Sequence, residues 1–419
     1  MIMGSTTSPI ELSALQIPYT SPREGYPLSL THRVVLAPMT RMRASNTTAT
    51  INASAAAYYA ERTALPGSLL ISEGTIVHPR GKGFPCTPGM WTETQAAAWK
   101  PVTDAVHAKG GTFFVQLWHV GRVSVPSMLG GKRPFSSTTA HLPGSHVLFG
   151  NGSGVEEYVD SHAMTEGDID DVVEQFAHAA RLATEQAGFD GVEIHGANGY
   201  LLDCFVHDNI NTRTDIYGGS LENRLRFPLR VVDAVITAIG ATRTAIRLAP
   251  FHVLQETRDS NRLATFERFC EELEKRGLAY VHIVEPRYDQ GSTEGAFSGS
   301  IERKKSQLGT ETQAEKLCQS REREEVQPAA GEMSIWPFRR ILKNTTVIGA
   351  GGYDAESAAR AIEEGRIDLV AFGRYFTSNP DLPERLFKGL PLTKYHRPTF
   401  YTPGEEGYLG WSRWRETEA

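Results

Sequence analysis

The sequence predicts an α/β fold built as an eight-stranded parallel (β/α)8 TIM barrel, on three observations. Eight short, β-rich apolar runs alternate with helix-compatible segments along the 419 residues, which is the pattern of repeated βαβ units around a parallel sheet. Polar residues gather at the C-terminal ends of those runs, where barrels of this kind carry their chemistry. No GxGxxG follows the first run, which disfavours a doubly wound dinucleotide domain. With no linker and no short repeat, residues 1–419 are read as one barrel domain with an N-terminal capping hairpin and long βα-loop excursions.

Each element has its own signal. The stretch from Leu12 to Leu30 carries Pro18, Pro22, Gly25 and Pro27 between apolar patches and reads as the hairpin that closes one end of the barrel. The eight runs are Arg33–Thr40, Ser68–Thr75, Thr112–His119, Gly191–Ala197, Thr244–Pro250, Ala279–Pro286, Thr345–Gly351 and Asp368–Arg374. Helices are expected over Ala53–Thr63, Thr92–Lys109, Glu166–Ala187, Leu221–Ile239, Ala264–Arg276, Trp336–Leu342, Ala355–Glu364 and Asp381–Lys388. Thr92 with Gln95 forms a capping box and Gly110-Gly111 stops that helix; Gly277 stops a later one. Gly121 to His162 is a long Gly/Ser/Pro-rich excursion expected to shape substrate choice. The interval from about 290 to 334 is charged and aperiodic, and reads as a solvated insertion or a lid.

Composition narrows the function. A formal net charge of -6 argues against a nucleic-acid partner. Cys86, Cys204, Cys270 and Cys318 form no CxxC pair, so each thiol is expected to be a small buried or inert residue in a reducing compartment. No stretch reaches the apolar length of a membrane span and the N-terminus lacks a signal-peptide pattern, so a soluble, cytoplasmic protein is expected. No cluster has zinc-ligand spacing.

The run ends place Pro38-Met39-Thr40, Glu73-Gly74, Gln116-Leu117-Trp118, His195-x-x-Asn198-x-Tyr200, Arg247, Gly351-Gly352 and Gly373-Arg374 on one rim. The glycines after the seventh and eighth runs, with Arg374, suit a phosphate held by backbone N–H groups and a charge-assisted contact; as single residues they would read as turn glycines. Gln116 offers a donor and an acceptor and Arg247 only donors, a pairing that suits an amide-rich ring. His195 and Asn198 supply a donor pair beside the phenol of Tyr200, which suits a site that grips an oxygen and delivers a proton. His119, alone, reads as structural.

The stretch HGANGYLLDCF followed by NTRTDIYGGSLENRLRF resembles the Old Yellow Enzyme family of flavin-dependent ene-reductases, and the resemblance extends from about Arg33 to Tyr401 apart from the charged insertion. It implies non-covalent FMN with NADPH as reductant and an enone-type small-molecule substrate. Pro38, Met39, Thr40 and Gly74 would lie about the flavin ring, with Gln116 and Arg247 at its pyrimidine edge. Gly351, Gly352, Gly373 and Arg374 would hold its phosphate. His195 and Asn198 would bind the substrate oxygen, Tyr200 would be the proton donor, and Trp118 and Tyr401 would line the substrate pocket. Asp208, Asn211, Arg213, Thr214, Asp215, Tyr217, Glu222, Asn223 and Arg224 belong to the family signature and are read as scaffold. The chain would act as a monomer or homodimer. A flavin-bound isomerase or cyclisation catalyst, and a non-catalytic flavin-binding interaction protein, are the competing readings.

Overall fold

The structure, a computed structural model, describes residues 12–22, 28–148, 154–285 and 334–414. Eight strands close into a parallel barrel in chain order: β1 Val34–Leu36, β2 Leu69–Ile76, β3 Thr112–Trp118, β4 Gly191–His195, β5 Thr244–Leu248, β6 Tyr280–Val284, β7 Thr346–Ala350 and β8 Leu369–Phe372. The side-chain period of two sorts each strand. Leu36, Leu70, Val115, Val192, Ile194, Ile246, Val281 and Val347 point outward into the layer shared with the helices. Val35, Ile71, Phe114, Ala245, Tyr280, Ile348 and Leu369 point inward and fill the barrel. Strands buried on both faces explain why the runs are continuously apolar rather than alternating.

Apart from β2, the strands are shorter than the apolar runs. The first run ends as a strand at Leu36, the fourth at His195 and the seventh at Ala350. The residues beyond leave the ladder to form the loops of the barrel mouth, so the run-end residues Thr40, Ala197 and Gly351 belong to loops. Pro286 and the interval to 333, which holds nearly all of the expected insertion, lie outside the described residues.

Helices α1 Ser54–Arg62, α2 Glu93–His107, α3 Glu166–Arg181, α4 Leu201–Val206, α5 Leu221–Ile239, α6 Arg262–Arg276, α7 Trp336–Ile341, α8 Ala355–Glu363, α9 Arg374–Ser378 and α10 Leu382–Lys388 lie between or after the strands. The Thr92–Gln95 capping box forms as expected, and Thr165 with Asp168 makes a second one at the start of α3. The expected helix to Ala187 leaves α-geometry after Arg181 and finishes as a π turn over Leu182–Gln186. The N-terminal hairpin pairs Tyr19–Thr20 with Ser29–Leu30. Its Tyr19, Leu28 and Leu30 join the inward-facing core, and the Tyr19 hydroxyl meets Thr346 Oγ1 at 2.8 Å. The hairpin therefore plugs the N-terminal end and leaves the opposite end as the open mouth.

Candidate active site

The layer of inward residues nearest the mouth is polar where the layers below are apolar. Gln116 on β3 and Glu193 on β4 stand in register with each other, and His195, two residues further along β4, stands in register with Arg247 on β5, which is in register with His282 on β6. Glu193 accepts from Gln116 Nε2 at 2.8 Å and from His282 Nδ1 at 2.9 Å. Neither Glu193 nor His282 was singled out from sequence; a charged residue in the centre of an otherwise apolar strand run was the available signal.

His195 ends β4 and is buried. Burial, then the Arg247 guanidinium and His282, push its pKa well below the ordinary imidazole value, so the ring is neutral. The backbone N–H of Ala197 donates to His195 Nδ1 at 3.4 Å. In a neutral ring the other nitrogen then carries the proton, which makes Nε2–H a donor. Asn198 and Gly199 follow with φ of 61° and 73°, two left-handed residues that turn the chain sharply after the strand. A Cβ at position 199 would lie 2.4 Å from Gln255 Cβ, so glycine is required by space as well as by φ. The buried Asp203 carboxylate holds this turn, accepting from Gly199 N–H at 2.8 Å and from His207 Nε2 at 3.0 Å. The Asn198 side-chain amide makes no hydrogen bond to a described residue.

Tyr200 stands immediately before α4. Its ring meets Trp118 at 4.9 Å and 77° and His195 at 4.9 Å and 83°, so the three rings form one aromatic corner. Burial, with Tyr158 and Tyr401 beside it, raises the phenol's pKa above its ordinary value and keeps it protonated. Gly74 makes room for Trp118, because a Cβ there would lie 2.6 Å from the indole. The tail residue Tyr401 packs on the same cluster as Trp118 and Tyr200. Tyr158, from the Gly121 to His162 excursion, is a residue the sequence did not single out. Its hairpin, Ser145–Leu148 with Gly154–Glu157, brings the hydroxyl to His146 Nδ1 at 3.0 Å, while His146 Nε2 donates to Gly83 O at 2.6 Å.

Pro38, Met39 and Thr40 follow β1 as a half-buried loop. A register shift between Ile71 and Gly74 inserts an extra residue into β2 opposite β3. The bulge turns Glu73 away from the rim, where sequence placed it, into a buried cluster in which its carboxylate accepts from Arg41 N–H at 3.1 Å. On the far side of the mouth Gly351 and Gly352 have φ of 116° and 69°, and no atom lies within 4 Å of a Cβ at 352. Gly373 precedes α9, and Arg374 donates to the Tyr395 hydroxyl at 3.0 Å. Two glycine turns, an arginine, an amide and a second inward arginine on one rim fit the phosphate and the polar ring edge of FMN. Gln116 strengthens the fit. Its Nε2 is committed to Glu193, which leaves the amide oxygen to accept from another group.

The family-signature residues serve as scaffold. Asn211 Nδ2 donates to Phe205 O and Tyr217 O at 2.8 Å each. Arg213 donates to Ser137 O and Met164 O, and Arg224 pairs with the buried Asp259 at 2.6 Å. Cys86, Cys204 and Cys270 are free and buried; Cys318 lies outside the described residues. No helix among the described residues is long and apolar enough to cross a membrane.

The model of the NADH:flavin oxidoreductase / NADH oxidase family matches residues 25–316 and 311–393. A flavin oxidoreductase, hxnT, of Emericella nidulans is 43% identical over 410 residues, which cover 95% of this chain and 97% of that protein. 12-oxophytodienoate reductase 2 of Arabidopsis thaliana is 42% identical, with 92% of each chain covered. Among solved structures, morphinone reductase in complex with tetrahydroNAD superposes with a TM-score of 0.80 at 34% identity, covering 97% of this chain and 99% of that one. The Old Yellow Enzyme homologue of Zymomonas mobilis superposes with a TM-score of 0.80 at 33% identity, covering 95% and 99%. The chain belongs to the Old Yellow Enzyme family of FMN-type flavin oxidoreductases.

Proposed function

We propose that this protein is an ene-reductase that uses FMN and NADPH to reduce the activated C=C bond of α,β-unsaturated carbonyl compounds. The observation that carries the reading is the corner of His195, Asn198 and Tyr200 sharing one mouth with Gln116 and Arg247, the last in register with His195. Relatives named as 12-oxophytodienoate and morphinone reductases, and a neighbour holding tetrahydroNAD, support a carbonyl-bearing substrate and a nicotinamide reductant.

FMN would be held by Gly351, Gly352, Gly373 and Arg374 at its phosphate, by Gln116 and Arg247 at the pyrimidine edge, and by the segment Pro38–Thr40 with Gly74 about the ring. When bound it supplies the hydride. His195 Nε2–H and the Asn198 amide donate to the substrate's carbonyl oxygen, and both bonds strengthen as that oxygen gains negative charge. A neutral His195 suits this role, since it polarises the oxygen without surrendering a proton to it. Tyr200 delivers the proton to the α-carbon. A phenol with a raised pKa stays protonated while substrate binds. Trp118 and Tyr401 enclose the substrate, and the Asn198–Gly199 turn fixes the spacing between donor pair and acid. Net reduction, rather than flavin-bound isomerisation, is favoured by Tyr200 being present in this corner. A cytoplasmic location accords with the reading.

Purified protein is expected to be yellow with one releasable FMN, to bleach with NADPH without oxygen, and to recolour with enones. Arg374→Ala is expected to lower FMN retention. A colourless protein that takes up no FMN on reconstitution would overturn the cofactor; bleaching without recolouring by any enone would overturn the substrate class.

A further inference from the structure

Glu193 is a fully buried carboxylate inside the barrel with no part in the chemistry described above. Burying a charge is costly unless it is paired and hydrogen-bonded. A core that needed only packing would place an apolar residue here, as the inward-facing positions of Phe114 on β3 and Ala245 on β5 do; instead the carboxylate shares this space with the Tyr280 hydroxyl. Glu193 lies two residues before His195, hence about 7 Å deeper along the strand. Its two oxygens are held by different strands: Oε1 by Gln116 of β3, Oε2 by His282 of β6.

A carboxylate accepts and does not donate, so it dictates the polarity of both partners. The Gln116 amide must turn its nitrogen across to Glu193 on the neighbouring strand, and its oxygen faces the other way. His282 is neutral, because burial lowers its pKa further than Glu193 raises it. Its proton therefore sits on Nδ1, and its Nε2 is a buried nitrogen without a hydrogen-bond partner among the described residues.

We propose that Glu193 is a positioning and tuning residue for the flavin: it fixes the Gln116 amide with its oxygen presented to the ring's N–H, and it places a buried negative charge that offsets Arg247 beneath the pyrimidine edge. The proposal rests on the reading of this mouth as an FMN site. Its consequence is electrostatic. A reduced flavin carrying negative charge is stabilised by Arg247 and opposed by Glu193, so the carboxylate holds the flavin's potential down.

The test uses Glu193→Gln and Glu193→Asp in the full chain, with three readouts: FMN affinity by fluorescence titration of the apoprotein, midpoint potential by dye-coupled reduction, and apoprotein melting. In Glu193→Gln the charge is gone and the amide of Gln116 is free to flip. FMN affinity is expected to fall about tenfold or more. Reduced flavin is expected to gain about tenfold in binding relative to oxidised flavin, a positive shift of about 30 mV for a two-electron couple. In Glu193→Asp the charge stays but retreats from Gln116, so affinity should fall while the potential stays near that of the parent. A purely structural role would lower the melting temperature and leave the potential of the bound flavin unmoved in both variants. Unchanged affinity and potential in a folded Glu193→Gln would overturn the proposal. If that variant does not fold, an unchanged affinity in Glu193→Asp overturns it instead. Failure of the parent protein to bind FMN would defeat the cofactor reading and is distinguishable from either result.

Discussion

At the scale of residues, burial decides which proton sits where. His195 is neutral because its surroundings are dry and already positive, and Tyr200 is protonated because its surroundings are dry and phenolic. Glu73 shows the same physics in a group outside the chemistry. Burial raises its carboxyl to about 7, against hydrogen bonding and the charges of Arg41 and Arg43. The folded state therefore holds a proton that the unfolded state releases between about pH 4.5 and 7, and stability from this group is lost as pH rises through that window. A displacement of this size corresponds to about 3 kcal/mol. Relative to a Glu73→Gln variant, the parent protein should become progressively less stable from pH 5 to 7 and then level off. Melting temperatures of the two proteins across pH 5 to 8 check this; a constant gap would show that Glu73 titrates normally. None of this was legible in the sequence. Glu73 was read as a rim residue because its run looked regular, and a bulge is set by strand pairing across the sheet rather than by local pattern.

At the scale of elements, the barrel strands and most helices could be read from the chain because their signals are local. The Thr92–Gln95 box, the Gly277 stop and the apolar runs each depend on residues a few positions apart. What could not be read depends on distant partners. The tail is the clearest instance: Tyr401, expected at the pocket from the family resemblance and not from any local pattern, is carried there by a segment that has little regular structure. Arg43 holds it by donating to the carbonyls of Thr399, Phe400, Gly404 and Glu406, and Arg41 donates to those of Phe400 and Gly407. Charged donors to buried carbonyls contribute about 1.5–3 kcal/mol each before non-additivity. Arg43→Ala is expected to cost roughly 2–3 kcal/mol and to expose residues 399–408 to limited proteolysis. KM for bulky enones should change more than flavin reduction by NADPH. A tail that stays resistant in Arg43→Ala would mean that Arg41, with Arg62 donating to the Tyr408 carbonyl at 3.4 Å, suffices to hold it.

At the scale of the whole molecule, the candidate site is where the barrel's two needs meet. The closed end is plugged with apolar side chains and the Tyr19–Thr346 bond, while the open end is lined with polar side chains. Most of the residues proposed for the mouth were legible, because the strand ends of a parallel barrel converge by construction. Tyr158, His146, Glu193 and His282 were not singled out: what each does depends on a partner, Tyr158 with His146 and Glu193 with His282, although a polar residue inside an apolar run marked the last two. A bound FMN should report on this architecture as stability. At a thousandfold excess over its dissociation constant it would add about 4 kcal/mol, so the melting temperature should climb with FMN concentration. Riboflavin, which lacks the phosphate, should give a smaller rise; an equal rise would show that the Gly351–Gly352 and Gly373–Arg374 turns do not hold the phosphate. The central claim, that His195 and Asn198 grip the oxygen while Tyr200 supplies the proton, is tested most directly by anaerobic stopped-flow on Tyr200→Phe. Bleaching of the flavin by NADPH should proceed at close to the parent rate, because no proton reaches a substrate carbon in that half of the cycle. Recolouring by a cyclohexenone-type substrate should slow by about a hundred- to ten-thousand-fold, the usual contribution of a general acid. Recolouring at the parent rate would contradict the account.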